Sequence, residues 1–421
     1  MITKVRSVLS NHFTDLKKVE FAFGCFVYFS SALLVLAVNK DVAGSRFDSQ
    51  FYLSSYSWIA SNHQVIPLDQ YKVASNPIFV HLMGILGFIV GDYFTVTIHV
   101  LYILMAIASI WIVTEILDNA KYIKSAALSS LLFSSGYFVA PSLWPTSDLP
   151  SILFMLLSYY FFFRRRSTWL FSLSLFALLS TRQSFAWLCL GFLIFDLMKM
   201  QVYELKNFSS LFAKYLPSFF SLWVSFVYFD FEFAPKFYEN VQRQNVFQIP
   251  NFLSTIQIGL NFTVVLLPII LFLPSLLYRN RFTRSESQFL LIGGLLTLGV
   301  FLNPPKTEIS SGLSWLSVAQ NRANIPLQFT ALIAFAGFIF YFSILAQVDY
   351  VLKMFLYVSF ILLCISALLM SIPFLRYFEI SSYFLLMLTM SAMDKKKSIK
   401  NSFWLPVSII LIFMNWLKIL L

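Results

Sequence analysis

Charge is scarce in this 421-residue chain, and long polar stretches are absent. Only 12% of the residues are charged, whereas 59% are hydrophobic, and the mean hydropathy is +0.77. A soluble domain of this length carries about twice that charged fraction. No polar stretch exceeds about forty residues, which is too few for an independent core. The chain is therefore predicted to be an all-α polytopic membrane protein without a soluble domain.

Several common catalytic and metal-binding motifs are also missing. The sequence has no Gly-rich phosphate loop, no H-E-x-x-H, no C-x-x-C and no G-x-S-x-G. Its four histidines show no metal-ligand spacing, and its three cysteines all fall inside apolar runs. Neither a metal nor a disulfide framework is predicted. The net charge of +11 is interpreted as basic cytoplasmic loops rather than as a surface for nucleic acid.

Apolar runs long enough to cross a membrane recur along the chain, and about thirteen of them are predicted to be spans. One further stretch, residues 78–90, is too short for a span and is typical of a re-entrant or interfacial helix. The predicted spans are residues 20–38, 94–117, 125–142, 149–163, 168–181, 184–198, 213–229, 252–277, 287–302, 325–345, 353–372, 377–392 and 402–420.

The distribution of Lys and Arg predicts which loops face the cytoplasm. If residues 78–90 do not cross, about two thirds of the 30 Lys and Arg residues lie in cytoplasmic segments, as the positive-inside rule requires. If residues 78–90 do cross, most of the Lys and Arg residues lie on the non-cytoplasmic side. The predicted organisation is a cytoplasmic N-terminus (1–19), a first module (20–198) with an outer loop at 39–93, and a C-terminal bundle (199–421) with outer loops at 230–251 and 303–324.

The first outer loop carries the first candidate catalytic residue, Asp48. The residues from Phe47 to Trp58 have nearly helical apolar spacing, with Phe51 (or Tyr52) and Ser55 between them, and are predicted to lie as a helix along the membrane interface. Asp48 at its first turn is either a helix cap or a catalytic carboxylate. Asp69 and Lys72 follow, ahead of the short helix that Pro77 introduces.

Other charged residues on the predicted outer face are candidates for ligand binding. Asp148 is either a helix cap or a partner of Arg182, and Arg182 is either part of that ion pair or a phosphate ligand. Arg376 and Glu379 are three residues apart on a helix and have the spacing of a local ion pair. Gln183, Arg322 and Tyr377 are the supporting polar residues.

The order of these features resembles the GT-C superfamily of polytopic glycosyltransferases. Within it, the chain is most similar to the dolichyl-phosphate-glucose α-1,2-glucosyltransferases, which add the last glucose to the lipid-linked oligosaccharide. Five short stretches of the chain carry the resemblance. D-S-Q-F-Y (48–52) is similar to the family pattern D-E-x-F-H, L-D-Q-Y-K-V-A-S-N-P-I-F (68–79) to W-D-x-K-I-T-T-P-P-G-L-Y, and P-T-S-D-L-P-S (145–151) to Y-T-D/E-x-G-S. Further on, T-R-Q-S-F-A-W (181–187) is similar to F-R-Q-T-N-x-x-W, and R-Y-F-E-I-S-S-Y (376–383) to R-Y-F-I-x-P-Y. The sequence departs from these patterns at Ser49, Tyr52 and Asn76.

This resemblance implies an inverting transfer of a hexose from a polyprenyl-phosphate carrier to a glycan acceptor, which is lipid-linked or on the surface. Asp48 would be the general base, and Arg376, Arg182 and Lys72 would bind the donor phosphate. No metal or other cofactor is expected, and membrane lipids are the other partners. The bacterial inner membrane is the expected location, with the endoplasmic reticulum as the alternative. An O-antigen-type polymerase and a lipid-linked oligosaccharide flippase are the alternative functions.

Overall fold

The computed structural model describes nine stretches of the chain: residues 2–38, 49–73, 75–117, 122–199, 205–230, 252–272, 324–369, 375–392 and 401–420, with 287, 294 and 319 as single residues. Within them the chain is helical and contains no β-strand. This is expected of an apolar chain, because a helix satisfies its backbone hydrogen bonds internally and needs no water. The all-α prediction is therefore confirmed for the described part.

Most of the described helices overlap the predicted apolar runs, but the first begins at Ile2, within the segment predicted as the cytoplasmic N-terminus. The predicted span at 287–302 lies outside the described residues apart from 287 and 294. Three short 3₁₀ turns and one π-helical turn, Tyr160–Arg165, connect some of the helices. The helices are α1 (Ile2–Val38), α2 (Ser49–Asn62), α3 (Pro77–Val90), α4 (Phe94–Ile116), α5 (Tyr122–Phe133), α6 (Gly136–Leu143), α7 (Asp148–Tyr159), α8 (Thr168–Thr181), α9 (Ala186–Lys199), α10 (Leu205–Tyr228), α11 (Phe252–Phe272), α12 (Leu327–Leu345), α13 (Tyr350–Leu369), α14 (Leu375–Ser391) and α15 (Asn401–Leu420).

Five helical stretches of the described part are long and apolar enough to cross a membrane. The second of them joins α3, a 3₁₀ turn and α4. Four shorter apolar helices accompany them, and the presence of thirteen spans stays a prediction. The five stretches are Lys17–Val38, Pro77–Ile116, Ser209–Tyr228, Leu327–Leu345 and Tyr350–Ala367.

One predicted span is divided in two. Residues 125–142 form α5 and α6 rather than one continuous helix. The Ser135 side chain accepts a hydrogen bond from the backbone N–H of Tyr137 at 3.2 Å and so caps the start of α6. A serine that bonds a nearby backbone N–H favours a new helix start over continuation of the old one.

Helices α2 and α3 pack against each other, and we call them the cap. Asn76 caps α3 by accepting a hydrogen bond from the N–H of Ile78 at 3.0 Å, and Pro77 occupies the first turn, where its fixed backbone angle suits a helix start. The ring of Tyr56 in α2 lies 6.4 Å from that of Phe79 at the start of α3. It lies 6.2 Å from that of Phe94 at the start of α4.

The chain bends between α3 and α4. Gly91, which follows α3, has a φ of 60°, a conformation that suits glycine and ends a helix. The rings of Phe79 and Phe94 both contact Tyr56 of the cap. α3 and α4 are therefore two helices rather than one, and the expectation that α3 does not cross the membrane stays a prediction.

Candidate functional site

The ion pair between Asp148 and Arg182 is the central feature of the candidate site. Asp148 is the first residue of α7, and Arg182 follows the last residue of the antiparallel neighbour α8, so that both lie at one end of this hairpin. We call it the Asp148 end. Arg182 Nη2 is 2.7 Å from Asp148 Oδ1, and the two side chains are only 1% and 10% exposed. The sequence left this pairing open as one of two roles for Arg182.

A group of hydroxyls, which we call the hydroxyl shell, lies around Asp148, and one of them contacts its carboxylate. The Thr146 hydroxyl donates to Asp148 Oδ2 at 3.0 Å, and the carbonyl of Thr146 accepts from the Tyr102 hydroxyl at 2.6 Å. The hydroxyl of Tyr52 in the cap lies 2.9 Å from Ser147 Oγ. Because both carboxylate oxygens are engaged, Asp148 is suited to holding Arg182 in place rather than to accepting a substrate proton.

Tyr56 extends this hydroxyl cluster into the cap. Its side chain is fully buried, and burial raises the pKa of the phenol well above its ordinary value, with the neighbouring Tyr102 and Tyr52 phenols adding to the shift. The phenol is therefore protonated at neutral pH. Tyr56 can take part in hydrogen bonds but cannot serve as a base.

Asn76 attaches the cap to the helices that carry the ion pair. Its amide nitrogen donates to the carbonyl of Leu179 in α8 and to the carbonyl of Ser221 in α10, each at 3.0 Å. Tyr102, whose hydroxyl reaches Thr146, lies about 12 Å along α4 from the start of that helix. The ion pair is thus recessed beneath the cap.

The other predicted site residues are not brought together by the described part. Lys72 is exposed and Gln183 is half-buried. Asp69 belongs to the 3₁₀ turn Leu68–Gln70, but its side chain lies outside the described residues. Asp48 and Arg322 lie wholly outside the described residues, and so do the side chains of Arg376 and Tyr377.

A second buried charged cluster joins α14 and α15. Lys418 Nζ bonds to Glu379 Oε1, and both side chains are fully buried. The Ser135 hydroxyl donates to the same carboxylate oxygen at 2.7 Å. The sequence pointed to Arg376 as the local partner of Glu379 and did not single out Lys418. A lysine inside an otherwise apolar helix was the available signal, since such a charge needs a buried partner.

The geometry defines a class of protein rather than a family. Within the described residues, no three His, Cys, Asp or Glu side chains come together as a metal site. The chain is an all-α membrane protein with buried ion pairs between its helices. Comparison with models of known families, with curated proteins and with solved structures finds no match to this chain.

Proposed function

We propose that this protein is a GT-C-type membrane glycosyltransferase. It would move a hexose, with glucose as the first choice, from a polyprenyl-phosphate donor to a glycan acceptor on the non-cytoplasmic face, with inversion. The observation that carries the proposal is the cap, whose two helices follow the first span and cover a recessed ion pair. The GT-C resemblance includes such an outer segment, with a half-buried helix that proline introduces.

The exposed face of the cap suits the lipid part of such a substrate. On α3, Leu82, Ile85, Phe88 and Ile89 are all more than half exposed, so that this face presents apolar side chains to its surroundings. A polyprenyl chain fits this surface. Tyr52 and Asn76, on the side of the ion pair, are buried and hydrogen-bonded within the protein, so they hold the cap in place rather than bind the sugar.

Among the candidate acids, we assign the role of base to Asp48 rather than to Asp148. Both oxygens of Asp148 already have partners, and a base must be within reach of the substrate proton. Asp48 directly precedes Ser49, the first residue of α2, and Tyr52 one turn later contacts the hydroxyl shell. We assign donor-phosphate binding to Arg376 and Lys72, because guanidinium and ammonium groups stabilise a leaving phosphate. Arg182 is buried and already paired with Asp148, so it supports the site and does not bind the phosphate directly.

The proposal is tested by a transfer assay in detergent with radiolabelled polyprenyl-phosphate glucose and a lipid-linked glycan extract. We expect wild-type protein to label the glycan and Asp48→Asn to reduce the rate by about 10² or more, as for loss of a general base. Asp41→Asn, which removes the same charge from the same loop, is the matched control and should retain activity.

Two other outcomes would redirect the assignment. Equal activity of wild type and Asp48→Asn would make Asp48 a helix cap and shift attention to Asp69. Absence of transfer from every polyprenyl-phosphate sugar tested would favour the polymerase or flippase alternative. We propose the bacterial inner membrane as the location, with the site facing the periplasm, and the lumen of the endoplasmic reticulum as the alternative.

A further inference from the structure

Three consecutive arginines lie at the end of the α7–α8 hairpin opposite to the Asp148 end. Arg164, Arg165 and Arg166 are all exposed and close the π-helical turn that follows α7. Along the helix, Arg164 is about 24 Å from Asp148. This surface is therefore separate from the candidate active site, and the proposed glycosyl transfer makes no use of it.

Two lysines from neighbouring helices enlarge this cationic surface. Lys214 Nζ lies 4.3 Å from the centre of the Phe162 ring, and Lys199 Nζ lies 4.2 Å from the centre of the Phe195 ring. The two rings are 5.9 Å apart, which places both ammonium groups close to the arginine turn. Together the five cations form what we call the basic patch: Arg164, Arg165, Arg166, Lys199 and Lys214.

Among the described residues, the carboxylates around the basic patch do not balance its charge. Asp196 bonds to Lys214 and also accepts from the Tyr215 hydroxyl at 2.8 Å. Glu115 forms a salt bridge with Lys17 at 3.2 Å. Within the described part, five cations thus face one carboxylate in direct contact and a second that already has a lysine partner. Such an excess of positive charge attracts an anion.

Two of the arginines are held in place by the protein. Arg165 Nε donates to the Tyr160 hydroxyl at 2.8 Å, and Arg164 donates to the carbonyl of Ile116. Arg166 adopts a left-handed backbone conformation, with φ of 53°, that turns the chain into α8. Planar guanidinium groups held in this way match the geometry of phosphate oxygens.

The surface beside the basic patch is apolar and exposed. Trp169 is 71% exposed and Leu173 is 48% exposed on the first turns of α8. An exposed Trp next to Lys and Arg is typical of the level where lipid headgroups meet acyl chains. A soluble anion would make no use of this apolar surface, whereas a phospholipid would contact it with its chains.

We infer that the basic patch binds the phosphate headgroup of an anionic phospholipid, whose acyl chains lie along α8.

To test this, the purified full-length protein is placed in nanodiscs of phosphatidylcholine with increasing fractions of phosphatidylglycerol. Native mass spectrometry then counts the phosphatidylglycerol that stays bound. The variant Arg165→Gln/Arg166→Gln should need a phosphatidylglycerol fraction about tenfold or more higher to bind the same amount of lipid. The reason is that each basic residue near an anionic surface strengthens binding about fivefold.

The matched control is Lys396→Gln/Lys397→Gln, which removes the same charge from another predicted cytoplasmic segment and should bind as wild type does. If both double variants lose the same amount of bound phosphatidylglycerol, the effect is one of overall charge and the inference is wrong. Unchanged binding by the arginine variant would also overturn it. Release of the lipid by excess inorganic phosphate would identify a soluble anion as the ligand instead. If the double variant does not fold, Arg166→Gln alone, at the exposed end of the patch, decides between the same outcomes.

Discussion

At the scale of single residues, Asp148 and Arg182 show how charge is tolerated among apolar helices. A buried charge is costly unless a partner and hydrogen bonds replace the water it has lost. Here the guanidinium meets one carboxylate oxygen and the Thr146 hydroxyl meets the other. Each member of the pair therefore depends on the other to offset its buried charge.

This dependence predicts a non-additive response to substitution. Arg182→Met and Asp148→Leu should each lower the free energy of unfolding by about 3–5 kcal/mol, because each leaves a buried charge without its partner. The double variant should be more stable than either single variant. Equilibrium unfolding in mixed detergent measures all three.

The control for this cycle is Lys214→Met at the pair with Asp196, whose side chains are 17% and 18% exposed. This pair is less deeply buried than Asp148–Arg182, so that a smaller loss is expected there. If Asp148→Leu and Arg182→Met lower the free energy of unfolding no more than Lys214→Met does, the two residues do not depend on each other for stability.

Local spacing in the sequence predicted these residue-scale contacts only in part. The Asp148–Arg182 pair was one of two roles open to Arg182, because two charges flanked the same predicted hairpin. For Glu379 the spacing pointed to Arg376, whose side chain lies outside the described residues, and gave no sign of Lys418, 39 residues further on, with which the structure pairs it. A partner on another helix depends on how the helices pack, and a single sequence does not contain that information.

At the scale of helices, the cap is held together by a close approach between α2 and α3. A methyl group added at Gly84 in α3 would collide with the Cβ atom of Ile59 in α2, and Ile59 is itself buried. A β-branched side chain has little freedom to move aside. The absence of a side chain at Gly84 therefore sets the distance between the two cap helices.

We predict that Gly84→Ala loosens the cap. Overpacking costs about 1–3 kcal/mol, which exceeds the gain of about 1 kcal/mol that alanine brings to a helix. A lower unfolding temperature and faster proteolysis between α2 and α3 should result. Among the described residues, a methyl group added at Gly294 would meet the Phe335 ring at 3.4 Å, an ordinary contact, so Gly294→Ala should cost less than Gly84→Ala. Equal effects of both variants would contradict the role of Gly84.

The existence of α3 was predictable, but the buried face of α2 was predicted only in part. Asn76 and Pro77 are a recognisable helix start, and the structure begins α3 there. The sequence placed Phe51, Ser55 and Trp58 on one face of α2, with Tyr52 as the alternative to Phe51. In the structure Ser55 and the alternative Tyr52 are buried, together with Tyr56 and Ile59, while Phe51 and Trp58 are only half-buried. A helix with aromatics on several sides does not reveal which of them its neighbours will cover.

At the scale of the whole molecule, hydropathy located the helices but not the number that cross. Most of the described helices overlap the predicted runs, because apolar segments must form helices in lipid. The polar start of α1 and the whole of α2 lie outside those runs. Five stretches reach the length of a span, and shorter helices such as α8 leave the count to experiment. The catalytic assignment rests on Asp48, which lies outside the described residues.

Sidedness can be measured with single cysteines and a membrane-impermeant maleimide on intact cells. Tyr93→Cys and Tyr350→Cys form a matched pair, because the two tyrosines are 74% and 73% exposed. We expect Tyr93→Cys to be labelled from outside and Tyr350→Cys only after permeabilisation. Asn62→Cys, at the end of α2, should react like Tyr93→Cys if α3 turns back. Labelling of Asn62→Cys and Tyr93→Cys from opposite sides would show that α3 crosses, and would reverse the predicted orientation of everything after it.

The hairpin of α7 and α8 also constrains how the chain is made. During synthesis the ribosome delivers Asp148 first, then the arginine turn, and Arg182 last, so that α7 enters the insertion machinery with a carboxylate that has no counter-charge yet. The neutral unit exists only once α8 has followed. The two helices are therefore expected to leave the translocon together as one hairpin, and a nascent chain halted between them would remain at the translocon with its carboxylate uncompensated.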